Sequence, residues 1–178
     1  MKVILLTGLP GVGKTTIIIR LCTHYSTKGR NVQGITTREF REKDQRVGFK
    51  ITDLATGDEG WLARKDSAAG PRIGSYRVVS EDLERIGVVA LERASKGSAD
   101  IVVVDEIGPM EMTSMSFRNA VSKVFDGKHA TVATLKFGSQ YPEVEKVRAR
   151  STLLEITKDN REQTYRKLIE QVDDWTGR

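Results

Sequence analysis

Residues 8–15 read Gly8-Leu9-Pro10-Gly11-Val12-Gly13-Lys14-Thr15, which has the spacing G-x-x-x-x-G-K-[ST] of a phosphate-binding P-loop. Glycines at these positions let backbone N–H groups turn inward around an anion, and a following helix adds its positive dipole end to the same place. Lys14 is expected to reach the β- and γ-phosphates of a nucleotide as a point charge, and the Thr15 hydroxyl to coordinate Mg²⁺. Thr16 falls near the α-phosphate in the same register. The competing reading is a plain glycine-rich turn, and the apolar strand before the loop and the helical pattern after it argue against that.

A second acidic pair stands far along the chain. Asp105 and Glu106 end the apolar run Ile101–Val104, so their carboxylates fall at the carboxyl edge of a sheet, where open α/β folds bind ligands. A carboxylate there would hold Mg²⁺, and its neighbour would orient or deprotonate a water aimed at the γ-phosphate. Alone, such a pair could simply terminate a strand; beside a P-loop it reads as a Walker B site. The transition state also needs cationic help. Arg38, Arg41, Arg46, Arg148 and Arg150 are the candidates, with Arg38 and Arg41 preferred because they lie just past the second strand. Asn160 and Arg161, with Thr157, follow the last strand, where they could contact a base or ribose or cap the final helix. His24 and His129 have no ligand spacing for zinc, and Trp61 and Trp175 read as packing residues.

The elements that must position these groups alternate between strand and helix. Lys2–Thr7 is a short continuous apolar run, as in a strand buried on both faces, and a helical pattern runs from Lys14 to about Lys28, before Gly29. Val32–Thr37 reads as the second strand. The stretch 38–77 breaks the rhythm: Val47–Thr52 and Glu59–Ala63 look like a hairpin across Thr56-Gly57-Asp58, and Lys65–Ser75 reads as a loop. Ser80 is expected to cap a helix that ends near Gly97, and Phe117, Ala120, Val121, Val124 and Phe125 form the stripe of another. A strand over His129–Leu135, a short helix over Pro142–Arg148, a strand over Leu153–Thr157 and a last helix complete the pattern. In that helix Asp159 and Glu162 could form a capping box. The expected fold is therefore α/β, a three-layer sandwich with a mainly parallel central sheet and an antiparallel hairpin extension.

With 178 residues, 38% of them hydrophobic, the chain fits one domain spanning 1–178. No apolar run approaches the ~18 residues needed to cross a bilayer. The single cysteine, Cys22, rules out an internal disulfide and favours a reducing compartment, so a cytoplasmic location with no membrane partner is the expectation. A net charge of +5 would suit nucleic acid or arginines gathered around a polyphosphate. No block of consecutive basic residues occurs and aromatics make up only 6%, which disfavours a nucleic-acid groove. Oligomeric state is left open by the sequence.

Taken together, LTGLPGVGKTT, GITTREFREKDQRVGFKI, RIGSYRV, VVVDEIGPMEM, SFRNAV and EITKDNR resemble, in order, the thermophilic or cancer-related nucleoside-triphosphatase family of small P-loop proteins. DEIGPMEM is much more specific than an isolated Walker B strand. The resemblance implies Mg²⁺-dependent hydrolysis of ATP, GTP, CTP and UTP to diphosphate and phosphate. It also implies that Lys14, Thr15, Asp105 and Glu106 occupy acting positions, and that Arg41 and Arg46 lie in an arginine-bearing hairpin. The chain departs from the family at Lys43-Asp44, where members often carry small residues. Two other readings stay open at this point: a kinase passing the γ-phosphate to a nucleotide or nucleoside, and a nucleotide-dependent switch that binds nucleic acid.

Overall fold

A computed structural model describes residues 1–177. One nine-stranded sheet runs in the order β5-β6-β4-β3-β2-β7-β8-β1-β9. Its strands are β1 (Val3–Thr7), β2 (Val32–Glu42), β3 (Gln45–Asp53), β4 (Glu59–Arg64), β5 (Arg72–Ile73), β6 (Tyr76–Val78), β7 (Ile101–Ile107), β8 (Ala130–Leu135) and β9 (Thr152–Glu155). The five strands β2, β7, β8, β1 and β9 are parallel, whereas β3 to β6 extend the sheet antiparallel from β2. Helices join the parallel strands: α1 (Lys14–Ser26), α2 (Ser80–Asp82) continuing through a π-helical turn (Leu83–Val88) into α3 (Val89–Lys96), then α4 (Met115–Asp126), α5 (Pro142–Arg148) and α6 (Arg161–Thr176).

Strand pleating explains why the parallel strands are apolar throughout. Alternate residues point to opposite faces, so Val3, Leu5, Val102 and Val104 join one buried cluster with Phe117 and Val121 of α4. Their neighbours Ile4, Leu6, Ile101 and Val103 join a second with Ile17 and Leu21 of α1 and Leu168 of α6. Two cores sandwiching one sheet make the three layers that the sequence pattern predicts. No helix among the described residues is long and apolar enough to cross a membrane.

Several local expectations are corrected. Strand β2 does not stop at Thr37; it runs on to Glu42 and turns directly into β3, pairing Glu42 with Gln45. Lys43 and Asp44 make that turn with φ of 46° and 61°, the positive pair that a two-residue type I′ hairpin demands. The expected hairpin across 56–58 is thus the second connection of a meander. Residues 65–75, read as a loop, already contain β5, which pairs with β6 through Arg72 with Arg77 and Ile73 with Tyr76. Ser80 is the first helical residue and provides no side-chain cap. Neither does α6 have a capping box: Asn160 occupies the N-cap position without a side-chain cap bond, and Glu162 is drawn to Arg20 instead. The β8 and β9 boundaries differ from expectation by one or two residues, as element ends commonly do.

Candidate active site

The loop after β1 has the conformation its glycines permit. Gly8, Gly11 and Gly13 have φ of 154°, 76° and 103°. A Cβ on Gly8 would lie 2.4 Å from the Ile156 carbonyl, so only glycine passes here without moving backbone. The first intrahelical bond across this junction runs from Ile17 N–H to the Gly13 carbonyl, and no side chain caps α1. Its leading N–H groups are therefore open to an anion. The Lys14 ammonium is buried and donates to the carbonyl oxygens of Gly8 at 2.9 Å and Leu9 at 3.4 Å. Among the loop residues proposed for nucleotide contact, Pro10, Gly11, Gly13, Lys14, Thr15 and Thr16 line a cavity of about 790 Å³, whereas the Val12 side chain points into the core beneath.

The carboxylates come from two strands away. Asp105 is fully buried, and its Oδ1 accepts from Thr134 at 2.6 Å and from Thr15 at 3.4 Å. Residues 90 apart in sequence thus meet at the foot of the P-loop. Burial raises the Asp105 pKa to about 6, against the pull of the Thr134 and Thr15 hydroxyls. Its Oδ2 is buried with no hydrogen-bond partner, which is costly unless something else satisfies it. A divalent cation, or a water bound to one, would do so beside the Thr15 hydroxyl. Among the described residues no cluster of three or more His, Cys, Asp or Glu forms an all-protein metal cage. One carboxylate plus one hydroxyl suits Mg²⁺, which shares its coordination sphere with phosphates and water.

Glu106 faces the cavity with Oε2 3.9 Å from the Lys14 ammonium. Burial raises its pKa, opposed by Lys14 and Lys136. Beyond it, Glu111 is buried in the cavity wall, and burial pushes its carboxyl up to about 8, with Glu106 and Asp105 adding to the shift. A neutral Glu111 can donate a hydrogen bond at neutral pH. Gly108 explains how the two acids fit: a Cβ there would lie 2.9 Å from both Glu106 Oε1 and Glu111 Oε2.

The arginines sort themselves by partner. Arg38 and Arg46 line the cavity; Arg41 does not. Arg38 makes two bonds to Glu59 Oε2, at 3.1 and 2.7 Å, and Arg41 binds Glu39 and the Asp44 carbonyl, bracing the β2–β3 turn. Arg46 donates to the Tyr76 hydroxyl at 2.7 Å and to Glu39 at 2.8 Å. Arg148 pairs with Glu145 in a neighbouring pocket, and Arg150 borders one with Met1 and Lys2 at the start of β1, remote from the P-loop. Lys136, just past β8, lines the cavity. On the other flank Arg161 lies over the P-loop, its Cδ 3.1 Å from where a Gly13 Cβ would sit. The Asn160 side chain closes its own loop, accepting from Thr157 N–H and donating to the Glu155 carbonyl.

Thr134, Glu111 and Lys136 were not legible as site residues. Thr134 gave the signal of a hydroxyl inside the apolar strand Ala130–Leu135, and Glu111 that of a lone acid among Gly108, Pro109, Met110 and Met112. The histidines, by contrast, sit away from the site: His129 Nδ1 bonds the Ala99 carbonyl.

A family model described as NTPase matches residues 3–169. The nucleoside-triphosphatase THEP1 of Thermofilum pendens is 48% identical over 134 residues, covering 75% of this chain and 73% of that protein. The protein of the same name from Thermotoga maritima is 44% identical over 168 residues, covering 93% and 92%. Among solved structures, the crystal structure of THEP1 from the hyperthermophile Aquifex aeolicus superposes with a TM-score of 0.84 at 30% identity, covering 96% of this chain and 99% of that one. The solution structure of a human cancer-related nucleoside triphosphatase gives 0.81 at 30%, covering 98% of each.

Proposed function

Because the chain belongs to this nucleoside-triphosphatase family and is a nucleoside-triphosphatase, we propose that it hydrolyses ATP, GTP, CTP and UTP to diphosphate and phosphate with Mg²⁺, using Lys14, Thr15, Asp105 and Glu106. The observation that carries this reading is the convergence of Lys14, Thr15, Asp105 and Glu106, with Thr15 hydrogen-bonded to Asp105 and Lys14 3.9 Å from Glu106. Lys14 exchanges its bonds to the Gly8 and Leu9 carbonyls for phosphate oxygens, while the open N–H groups at the start of α1 bind the same chain of phosphates. Thr15 and Asp105 would hold Mg²⁺, which when bound neutralises charge on the β- and γ-phosphates. Glu106 accepts the proton of the attacking water as the bond from the γ-phosphorus to the β-bridging oxygen breaks. Burial raises its pKa, which makes it a stronger base than an ordinary carboxylate.

Broad base use follows from the contacts available. The phosphates meet main-chain amides and charges, whereas on the β9 flank Arg161 offers a planar cation that any base can stack against, and Asn160 is already engaged. A cytoplasmic setting accords with Cys22, whose thiol burial pushes up to about 12, leaving it unreactive. Phosphate release from the purified chain with each of the four triphosphates, with Mg²⁺ or with EDTA, tests the proposal. Turnover confined to one base would refute the broad specificity, and turnover unaffected by EDTA the metal requirement. Adding nucleoside or nucleotide acceptors to the same assay tests the kinase alternative, which requires phosphorylated acceptor to appear at the expense of free phosphate.

A further inference from the structure

The sheet lays out the site along its carboxyl edge. From β9 toward β6 one meets Arg161, the P-loop, Lys136, Glu106, Arg38, and then Arg46 with Tyr76. A triphosphate on the P-loop has its γ-phosphate by Lys14 and its α-phosphate by Thr16. Its nucleoside then leaves on the Arg161 side, and its γ end faces Glu106. The cavity does not stop there. It continues past Glu106 beneath the meander, into a chamber walled by Phe49, Leu62, Ile73, Tyr76 and Met110. A hydrolytic water takes up only about 30 Å³, so hydrolysis alone has no use for this room.

The chamber has the chemistry of a second ligand site. Phe49 and Tyr76 meet edge to face with ring centroids 5.2 Å apart, and the Arg46 guanidinium lies 5.6 and 5.7 Å from those rings. Arg46 spends Nε on Tyr76 and Nη1 on Glu39, and Arg38 spends Nε and Nη2 on Glu59. Arg46 Nη2 and Arg38 Nη1 are the donor positions those bonds leave for an anion at the chamber. The acids nearby are Glu106 at the chamber's entrance, Glu39, shared between Arg41 and Arg46, Glu59, bound by Arg38, and Glu111, which burial keeps protonated at neutral pH.

We propose that this chamber is a second subsite, on the Glu106 side of the γ-phosphate, that binds a planar aromatic ring carrying a phosphate, with the ring against Phe49, Tyr76 and Met110 and the phosphate on Arg46 and Arg38. It rests on the nucleoside-triphosphatase reading of the P-loop and adds a ligand to it.

The test is equilibrium dialysis of radiolabelled AMP, and separately GMP, against the full chain saturated with ADP and Mg²⁺, which fills the P-loop. One saturable site is expected. Ile73→Trp, which fills the chamber from its edge, and Phe49→Ala, which removes a ring, should each weaken monophosphate binding by about tenfold or more. Both should keep phosphate release from ATP within about twofold of the parent. Absence of monophosphate binding to the ADP-loaded chain, or binding unmoved by both variants, overturns the subsite. Loss of ATP hydrolysis together with monophosphate binding in both variants would mean that the triphosphate itself fills the chamber, and overturns it equally. A parent chain that releases no phosphate would instead strike at the P-loop reading.

Discussion

Thr134→Val removes one hydroxyl while keeping the shape of the side chain, so it isolates the hydrogen bond that Asp105 receives from β8. That bond is 2.6 Å long and fully buried, whereas Thr15 approaches the same oxygen only to 3.4 Å. A hydrogen bond to a charged group contributes roughly 1.5–3 kcal/mol, and about 1.4 kcal/mol changes a proton equilibrium tenfold. Losing the Thr134 donor should therefore raise the proton affinity of Asp105, which already titrates at about 6, by roughly 10- to 150-fold. A proton on a ligating carboxylate competes with the metal. The half-saturating Mg²⁺ concentration for phosphate release should thus rise roughly 4- to 40-fold at pH 6.5 and return to within about twofold of the parent at pH 9. Phosphate release measured across Mg²⁺ titrations at both pH values decides the matter. An unchanged Mg²⁺ requirement at pH 6.5 would refute the coupling, and a loss just as large at pH 9 would show that Thr134 acts through packing rather than through the charge of Asp105.

Glu106→Gln keeps size and loses basicity; turnover should fall on the order of 100- to 10,000-fold while nucleotide affinity, measured by calorimetry, stays within about threefold. Equal losses in both would contradict a water-activating role. Lys14→Ala removes the buried cation of the P-loop, so triphosphate binding should weaken by roughly 10-fold or more and turnover should vanish, as stopped-time phosphate assays and calorimetry would show. Stability should depend on pH in a definite direction. Glu111 and Asp105 titrate at about 8 and about 6 in the folded chain, above ordinary carboxylates, so the folded state holds more protons than the unfolded one between the ordinary and the raised values. Their contribution is complete at low pH and is lost as pH rises, so the ligand-free chain should lose stability from about pH 4 to about pH 8 in urea melts. Glu111→Gln should flatten the decline above about pH 6, and a decline of unchanged slope would show that Glu111 is not the group responsible.

What the sequence determined by itself is what depends on neighbours along the chain. The P-loop is legible because its function lies in eight consecutive residues whose backbone turns a strand into a helix, and the alternation of apolar runs and amphipathic stripes is enough to specify three layers. Asp105 and Glu106 are legible for a related reason: the end of a buried parallel strand is a ligand edge in any such sheet. Tertiary structure decided everything that rests on register between distant strands. Thr134 reaches Asp105 only because β7 and β8 lie side by side, with their pairing shifted between Val104 and Ile107. Arg46, rather than Arg41, lines the cavity because β3 turns back at Lys43-Asp44 and pairs irregularly near Phe40 and again near Phe49. Glu111 becomes a neutral acid only when the fold removes water from around it. A carboxyl's proton affinity is a property of its surroundings, and those surroundings are assembled from segments that the sequence keeps far apart.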